Sequence, residues 1–242
     1  MSSSRNIERP RQAVILAGGL GTRLRPFTDS IPKPMLPVNG HPFLSYLLKQ
    51  LRKNGFERVL MLLGYRAEAI VEYYGDGAKL GINIEYSILN ADDETGVRLR
   101  EAKNKLDRYF FLLYCDNYWP YEFEYLWDFY LKNDWDVQLT VYRNLDGLTR
   151  DNLRVDDIGR VRLYDKSRSA NDLSGVDIGF IIMNRDTLEL LPQGNVSFEA
   201  TVYPALILQE NLGAFQSSNR YYSIGSIERV EETANYLANT SE

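Results

Sequence analysis

Cysteine and histidine are almost absent from this chain, which contains one of each, Cys115 and His41. A single cysteine excludes an intrachain disulfide and a thiolate zinc site, and a single histidine excludes an all-histidine metal site. We therefore expect a reducing compartment and predict a cytoplasmic protein. Cys115 lies in an apolar run and is expected to pack rather than to react. His41 lies between Gly40 and Pro42 and is expected in an exposed turn.

Long apolar runs are also absent. No 18 apolar residues follow one another, and the polar beginning lacks the apolar core of a signal peptide. We expect no membrane association. Residues 1–11 are predicted to form a flexible N-terminal tail, and residues 12–242 a single domain.

The chain has no excess of positive charge. Its net charge of −5 and pI near 5.2 argue against a nucleic-acid partner, because such binding needs a broad basic face. The basic residues are instead concentrated near the beginning. Six fall among the first 33 residues: Arg5, Arg9, Arg11, Arg23, Arg25 and Lys33. Only Glu8 and Asp29 oppose them there, so this segment suits a small anionic ligand.

Short apolar runs alternate with amphipathic segments along the first half. The predicted strands are Ala13–Leu16, Arg58–Leu63, Ile82–Ile88, Phe110–Cys115 and Val137–Tyr142. The predicted helices are Pro42–Asn54, Arg66–Tyr74, Arg98–Lys105 and Tyr121–Asn133. This order predicts an α/β fold, a Rossmann-like, mostly parallel sheet with helices on both faces.

The second half contains shorter β-like segments before helices return. The predicted strands are Leu153–Val155, Arg160–Tyr164 and Val176–Met183, and the predicted helices are Val202–Gln209 and Ile227–Leu237. We interpret these strands as an extension of the same sheet. Ligands of such sheets bind at the carboxyl ends of the strands, which directs attention to the residues after Leu16 and after Cys115.

A glycine-rich, basic loop follows the first strand and runs from Gly18 to Lys33. Glycines after a strand let backbone N–H groups approach phosphate oxygens, and Arg23 and Lys33 add charged donors. The dinucleotide-binding fingerprint requires glycine or alanine at residue 24, which is leucine here, so a nicotinamide-dependent oxidoreductase is disfavoured. The spacing of a P-loop is also absent. From glycine content alone, an ordinary tight turn remains the alternative.

The whole segment, Gly18–Thr28 followed by Pro32–Met35, resembles the sugar 1-phosphate nucleotidyltransferase family. That family carries G-G-x-G-T-R-L-x-P-x-T followed by P-K-P-M, and the similarity continues from about Gln12 to about Leu237. The resemblance implies the nucleotide-diphospho-sugar transferase fold. It also implies in-line attack of a sugar 1-phosphate oxygen on the α-phosphorus of a nucleoside triphosphate, with pyrophosphate leaving, in the synthesis of glycan or polysaccharide precursors.

The resemblance also implies roles for individual residues. Arg23 would hold the departing phosphates, Lys33 would neutralise the α-phosphate or the sugar phosphate, and Asp116 would bind Mg²⁺. The implied nucleotide-binding residues are Leu16, Ala17, Gly18, Gly19, Gly21, Thr22, Thr95, Gly96 and Arg98. The implied sugar-phosphate-binding residues are Asp165, Lys166, Asp177, Gly179 and Glu199.

The segment Asp92–Leu99, expected to select the base, departs from the G-T-x-G-A-L of many relatives. Glu94 and Val97 each stand where those relatives have a glycine, while Thr95 and Gly96 are kept. The Thr-Gly-x-Arg-Leu order resembles cytidylyltransferases, whereas Tyr114–Pro120 resembles enzymes that use GTP with heptose or mannose 1-phosphate. CTP and GTP therefore both remain open, with a slight preference for CTP.

A second departure is Ser223, in Ser223-Ile224-Gly225-Ser226, where relatives have the second magnesium-binding aspartate of D-I-G-T. Either Asp116, triphosphate oxygens and water hold the ion, or the chain is a catalytically inactive, nucleotide-sugar-binding regulatory homologue. We predict the enzyme. The aromatic segment Tyr118–Tyr130 is a candidate surface for a homodimer.

Overall fold

The computed structural model describes residues 7–240, so residues 1–6 of the predicted tail lie outside the described residues. The chain divides into two compact units. The N-terminal unit contains Arg11–Asp93, Tyr114–Trp119 and the described residues from Tyr221 onward. The central unit contains Glu94–Leu113, Pro120–Arg220 and the described residues before Arg11. That residues 12–242 act as a single domain stays a prediction.

The strands of the described part are numbered in chain order. They are β1 (Gln12–Ala17), β2 (Pro37–Val38), β3 (His41–Pro42), β4 (Arg58–Leu63), β5 (Asn83–Ile88), β6 (Tyr109–Tyr114), β7 (Asn117–Tyr118), β8 (Val137–Tyr142), β9 (Leu153–Val155), β10 (Val161–Tyr164), β11 (Val176–Asn184), β12 (Leu212–Ser217) and β13 (Tyr222–Ser223).

The α-helices of the described part are numbered in the same way. They are α1 (Phe43–Lys53), α2 (Ala67–Tyr74), α3 (Thr95–Glu101), α4 (Glu124–Leu131), α5 (Phe198–Leu208) and α6 (Ile227–Asn239). No helix within residues 7–240 is long and apolar enough to cross a membrane.

In the N-terminal unit, β1 pairs in parallel with β4, and β4 pairs in parallel with β5. All six residues of β1 are buried, which fits a strand covered on both faces. Helix α1 precedes β4 in the chain, and the buried residues of its apolar face include Phe43, Leu44, Leu47, Leu48 and Leu51. The 3.6-residue spacing of these residues predicted that face correctly.

In the central unit, β12 pairs in parallel with β8, whereas β11 runs antiparallel to both β6 and β8. The predicted α/β fold with a mostly parallel sheet is therefore confirmed, and β11 is its antiparallel strand.

The strands β9 and β10 form a separate two-stranded sheet, so the prediction that they extend the main sheet was wrong. The connection between them is short. The carboxylate of Asp156 accepts hydrogen bonds from the backbone N–H groups of Ile158 and Arg160, which closes a tight turn. The hairpin therefore pairs with itself, and β11 alone of the three segments joins the main sheet.

Two helices begin earlier than the sequence pattern predicted. Helix α3 begins at Thr95 rather than Arg98, and helix α5 begins at Phe198 rather than Val202. Ser197 explains the second difference, because its side-chain oxygen accepts a hydrogen bond from the N–H of Ala200 and caps the helix.

Candidate functional site

The glycine-rich loop leaves the carboxyl end of β1 and turns back at Gly21. Gly21 has φ of +64°, and the hydroxyl of Thr28 donates to its carbonyl oxygen at 2.9 Å. A Cβ added at Gly21 would lie 3.1 Å from the Cβ of Lys33. Glycine is therefore required here both by the backbone conformation and by the close approach of Lys33.

Tyr65 and Arg66 fix the far side of the loop. The Tyr65 hydroxyl lies 3.1 Å from the carbonyl oxygen of Thr28 and 3.0 Å from that of Asp29, and the Arg66 guanidinium donates to the latter at 2.9 Å. The Tyr65 N–H also donates to the carbonyl oxygen of Gly18 at 3.1 Å. Tyr65 and Arg66, which follow β4, therefore bind the loop at its beginning, at Gly18, and again at Thr28 and Asp29.

Lys33 and Asp116 form an ion pair, with 2.5 Å between Nζ and Oδ2. Both side chains are largely covered, with 11% and 27% of their surfaces exposed. Cys115 places Asp116 beside the loop, because its N–H donates to the carbonyl oxygen of Leu16 at 3.3 Å. The structure thus brings together two of the three predicted catalytic residues, at the strand ends where the sequence pattern predicted a site.

The Cys115 thiol is not suited to nucleophilic chemistry at this position. Burial raises its pKa to about 12, so the thiol stays protonated near neutral pH. This agrees with the prediction that Cys115 packs rather than reacts.

Arg23 and Gly19 lie on the exposed side of the loop. Arg23 is exposed on the short 3-10 turn Thr22–Leu24 and forms no ion pair with any residue that the structure describes. A Cβ at Gly19 would meet no protein atom within 4 Å. Packing within the protein therefore does not require glycine at residue 19.

Ser223 is buried beside the backbone of Asp116. Strand β13 pairs with β7, and the N–H of Ile224 donates to the carbonyl oxygen of Asp116 at 3.0 Å. The guanidinium of Arg229 donates to the Ser223 hydroxyl at 3.2 Å. At the position where the family resemblance implies a second acidic residue, this chain therefore has a neutral hydroxyl that accepts a hydrogen bond from a guanidinium.

In the central unit, the beginning of α3 is bound to the segment that leads into α5. The N–H of Glu94 donates to the side-chain oxygen of Asn195 at 2.8 Å, and the N–H of Gly96 donates to the carbonyl oxygen of Val196 at 3.0 Å. The Thr95 hydroxyl donates to Oε2 of Glu199 at 2.9 Å. The structure thus brings Thr95 and Gly96 to Glu199, which the sequence had assigned to different parts of the substrate.

Gly96 should tolerate no larger residue. A Cβ there would lie 2.6 Å from the carbonyl oxygen of Val196 and 2.9 Å from Leu191, closer than non-bonded contacts allow. We expect Gly96→Ala to lower the free energy of unfolding by about 1–3 kcal/mol, measured by urea denaturation. The matched control is Gly19→Ala, which should leave stability unchanged. Equal stability of both variants would show that α3 does not approach this segment so closely.

Glu199 and Arg98 are both deeply buried, with 4% and 3% of their surfaces exposed. Burial raises the pKa of Glu199, and the hydrogen bond from Thr95 opposes that rise. The predicted contact of Arg98 with a base stays a prediction.

Asp165 organises its own loop. Its carboxylate accepts hydrogen bonds from the N–H groups of Ser167, Ser169 and Ala170 and from the hydroxyls of both serines. These bonds hold the pKa of Asp165 well below its usual range. The loop leaves Lys166 exposed. The predicted contact of Asp165 with sugar hydroxyls therefore has to compete with five donors from its own loop.

Asp177 lies on β11 next to a bulge at Gly179, whose φ is +73°. The N–H of Gly179 donates to Oδ1 of Asp177 at 2.9 Å. Burial raises the pKa of Asp177 to about 6, more than this hydrogen bond lowers it. Burial raises the pKa of Tyr203, and the charges of Asp177 and Glu199 raise it further. The buried Tyr203 hydroxyl forms no hydrogen bond with the described residues.

The raised pKa of Asp177 predicts a pH-dependent stability. The folded state binds a proton at Asp177 below about pH 6, whereas an unfolded aspartate releases it near pH 3.9, so stability falls as pH rises through this interval. We expect wild type to lose up to about 3 kcal/mol relative to Asp177→Asn between pH 4 and 7. Urea denaturation across that range measures the difference. Asp157→Asn, at an exposed aspartate, is the control and should follow wild type.

The sequence analysis did not identify three residues that lie beside the candidate site residues: Ser197, Tyr203 and Arg229. Ser197 donates to Oε2 of Glu199 at 2.5 Å and caps α5, and a serine before a helical pattern is a recognisable start signal. Tyr203 follows Glu199 by four residues on α5, but nothing in the pattern distinguished it from core. Arg229 carries no signal either, because its contact with Ser223 depends on the turn before α6.

Comparison with known proteins finds similar sequences and similar solved structures. A family model described as Nucleotidyl transferase matches residues 12–145, more than half of the chain. Mannose-1-phosphate guanylyltransferase from Mycobacterium tuberculosis is 34% identical over 197 residues, which cover 81% of this chain and 55% of that relative. D-glycero-alpha-D-manno-heptose 1-phosphate guanylyltransferase from Campylobacter jejuni is 45% identical over 91 residues, which cover 38% of this chain and 41% of that relative. The chain therefore spans about half the length of these relatives.

The crystal structure of HddC from Yersinia pseudotuberculosis has a TM-score of 0.80 with this chain at 25% identity. The similarity covers 93% of this chain and 99% of that chain, so it extends well beyond the segment that the family model matches. The glycine-rich loop and the ion pair between Lys33 and Asp116 both lie within the matched segment. The chain belongs to the nucleotidyl transferase family.

Proposed function

We propose that the protein transfers a nucleoside monophosphate from a nucleoside triphosphate to a sugar 1-phosphate. The observation that carries this proposal is the covered ion pair of Lys33 and Asp116 beside the glycine-rich loop. In the reaction, a phosphate oxygen of the sugar 1-phosphate forms a bond to the α-phosphorus, and the bond from that phosphorus to pyrophosphate breaks. Negative charge shifts to the leaving group, so a positioned lysine stabilises the transition state more than the substrates.

The loop supports a triphosphate-binding role. Gly19 has no packing reason to be glycine, which is what close approach of a phosphate to its backbone would require. Arg23 is exposed on the same loop and can form charged hydrogen bonds to the departing phosphates. The neighbouring residues Leu16, Ala17, Gly18, Gly21 and Thr22 are proposed to line the nucleotide.

Two carboxyl groups of the central unit, those of Glu199 and Asp177, support recognition of a polyol. Glu199 and Asp177 are acceptors of the kind that bind sugar hydroxyls, and both have a raised pKa from burial. Lys166 is an exposed cation suited to a sugar phosphate. We propose that these residues hold the sugar 1-phosphate.

Magnesium is proposed as the cofactor, bound mainly through the substrate. No group of three or more histidine, cysteine, aspartate or glutamate side chains suited to a metal occurs within residues 7–240. Following the family resemblance, we propose Asp116 as the carboxylate that would hold the ion, while Ser223 is a poor ligand. Mg²⁺ accepts such a site, because it usually keeps water and takes further oxygens from substrate phosphates. When bound, it would neutralise charge on those phosphates.

The names of the relatives suggest which substrates to test first. Both are guanylyltransferases, one for mannose 1-phosphate and one for a heptose 1-phosphate. We therefore propose that the substrates are GTP and one of these sugar 1-phosphates. The order of Thr95, Gly96 and Arg98 in the sequence had slightly favoured CTP instead.

The test is a matrix of pyrophosphate-release assays with Mg²⁺, the four nucleoside triphosphates and a panel of sugar 1-phosphates. We expect release for at least one combination and only when both substrates are present. Release without a sugar 1-phosphate would indicate hydrolysis, and no release across the whole panel would contradict the proposed reaction.

The contact between Ser223 and Arg229 favours a second candidate, a regulatory protein that binds a nucleotide-sugar without turnover. Ser223→Asp distinguishes the two. If the protein is an enzyme, wild type already releases pyrophosphate. If serine in place of aspartate at residue 223 abolished catalysis, calorimetry should show that wild type binds a nucleotide-sugar, and wild type should show no turnover. Turnover should then arise only in Ser223→Asp.

We further propose a cytoplasmic protein that supplies activated sugars for glycan or polysaccharide synthesis, without a nucleic-acid or membrane partner. A homodimer through the exposed part of Tyr118–Tyr130 is the proposed assembly. Light scattering at several concentrations tests for it.

A further inference from the structure

The hydroxyl of Thr95 makes two hydrogen bonds at once. It donates to Oε2 of Glu199 at 2.9 Å and accepts from the N–H of Phe198 at 2.9 Å. Thr95 is the first residue of α3, and Phe198 is the first residue of α5. One hydroxyl therefore fixes both the backbone at the beginning of α5 and the carboxylate one residue further on.

Glu199 is held in one orientation as a result. The hydroxyls of Thr95 and Ser197 both donate to Oε2, so neither occupies Oε1. Only 4% of the residue is exposed, which leaves little room for another rotamer. The other titratable groups facing this carboxylate are Glu94, whose charge raises the pKa of Glu199, and Tyr203, whose pKa is raised in turn by Glu199.

We propose that Thr95 is a positioning residue that aims the carboxylate of Glu199 at a hydroxyl group of the sugar 1-phosphate. This inference rests on the proposed function and departs from the nucleotide-binding role that the sequence implied for Thr95. Gly96 contributes by allowing the approach, since its N–H donates to the carbonyl oxygen of Val196.

The kinetic test compares Thr95→Val, which keeps the shape and loses the hydroxyl, with Thr95→Ser, which keeps the hydroxyl. GTP and mannose 1-phosphate are the first pair, replaced by the most active pair of the assay matrix if that differs. For Thr95→Val we expect KM for the sugar 1-phosphate to rise about tenfold or more, with KM for the triphosphate within about twofold. Thr95→Ser should resemble wild type.

A double variant tests whether the effect passes through Glu199. Thr95→Val combined with Glu199→Gln should raise KM for the sugar 1-phosphate no further than Glu199→Gln alone. An additive effect would overturn the proposal. A rise in KM for the triphosphate instead would also overturn it, because Thr95 would then act on the nucleotide.

A second readout needs no turnover. Carbon-13 NMR titration of the Glu199 carboxyl, assigned through Glu199→Gln, should show a higher pKa in Thr95→Val and a wild-type value in Thr95→Ser, because a donor to the carboxylate is lost only in the former. An unchanged pKa in Thr95→Val would overturn the proposal even if the reaction is confirmed. A raised pKa in a protein without turnover would instead locate the failure in the proposed function.

Discussion

Replacing Lys33 by alanine should lower turnover by about a hundredfold or more, as removal of one focused electrostatic contact often does. The lysine is largely covered and lies against Asp116, so its charge acts where water screens it poorly. Because that charge matters most as negative charge moves to the leaving group, kcat should fall more than the affinity for either substrate. Steady-state kinetics with the active pair from the assay matrix measures both effects.

The control for Lys33→Ala is Lys53→Ala, which removes an exposed lysine at the end of α1. It should keep wild-type kinetics. Thermal denaturation of both variants separates loss of catalysis from loss of folding. Near-normal kcat in a folded Lys33→Ala protein would show that this lysine does not act on the reacting phosphates.

Replacing Asp116 by alanine should also lower turnover by about a hundredfold or more. Its carboxylate is the proposed protein ligand for Mg²⁺ and also the partner that orients Lys33. We expect Asp116→Ala to need a higher Mg²⁺ concentration for half-maximal rate, because substrate phosphates and water alone would then hold the ion. Rates measured across a magnesium titration test this directly.

Asp116→Asn refines the result, since the amide keeps the shape and loses the charge. It should resemble Asp116→Ala in kinetics. Glu72→Ala, at an exposed residue of α2, is the control for a lost carboxylate and should change neither rate nor magnesium requirement. An Asp116→Ala protein with wild-type rates at low Mg²⁺ would rule out the metal-binding role of this residue.

Local sequence was sufficient for the parts of the site that depend on one loop or one strand end. Gly21 has a positive φ and lies close to Lys33. Both residues belong to the short motif Gly18–Thr28 and Pro32–Met35, which the sequence alone identifies. Asp116 follows a buried strand, and carboxyl ends of neighbouring strands meet at one edge of a sheet. The sequence could therefore place Lys33 and Asp116 at the same site, although they are 83 residues apart in the chain.

Contacts that depend on competition or distant packing were not predictable. Asp165 has the right residue type for a sugar ligand, yet five donors of its own loop satisfy its carboxylate, since short polar side chains bond readily to nearby backbone. Thr95 and Glu199 are 104 residues apart on elements whose beginnings the apolar pattern placed three and four residues late. Apolar periodicity alone does not show where a helix begins, because the start depends on caps such as Ser197, whose serine signal was overlooked.

The most direct test of the proposed chemistry follows oxygen-18 through the reaction. The protein is incubated with Mg²⁺, the active nucleoside triphosphate and a sugar 1-phosphate whose phosphate oxygens carry the isotope, and the products are analysed by mass spectrometry. If a sugar phosphate oxygen attacks the α-phosphorus, all of the label stays in the nucleotide-sugar and the pyrophosphate carries none. Label in the pyrophosphate, or formation of pyrophosphate without any nucleotide-sugar, would contradict nucleotidyl transfer by this protein.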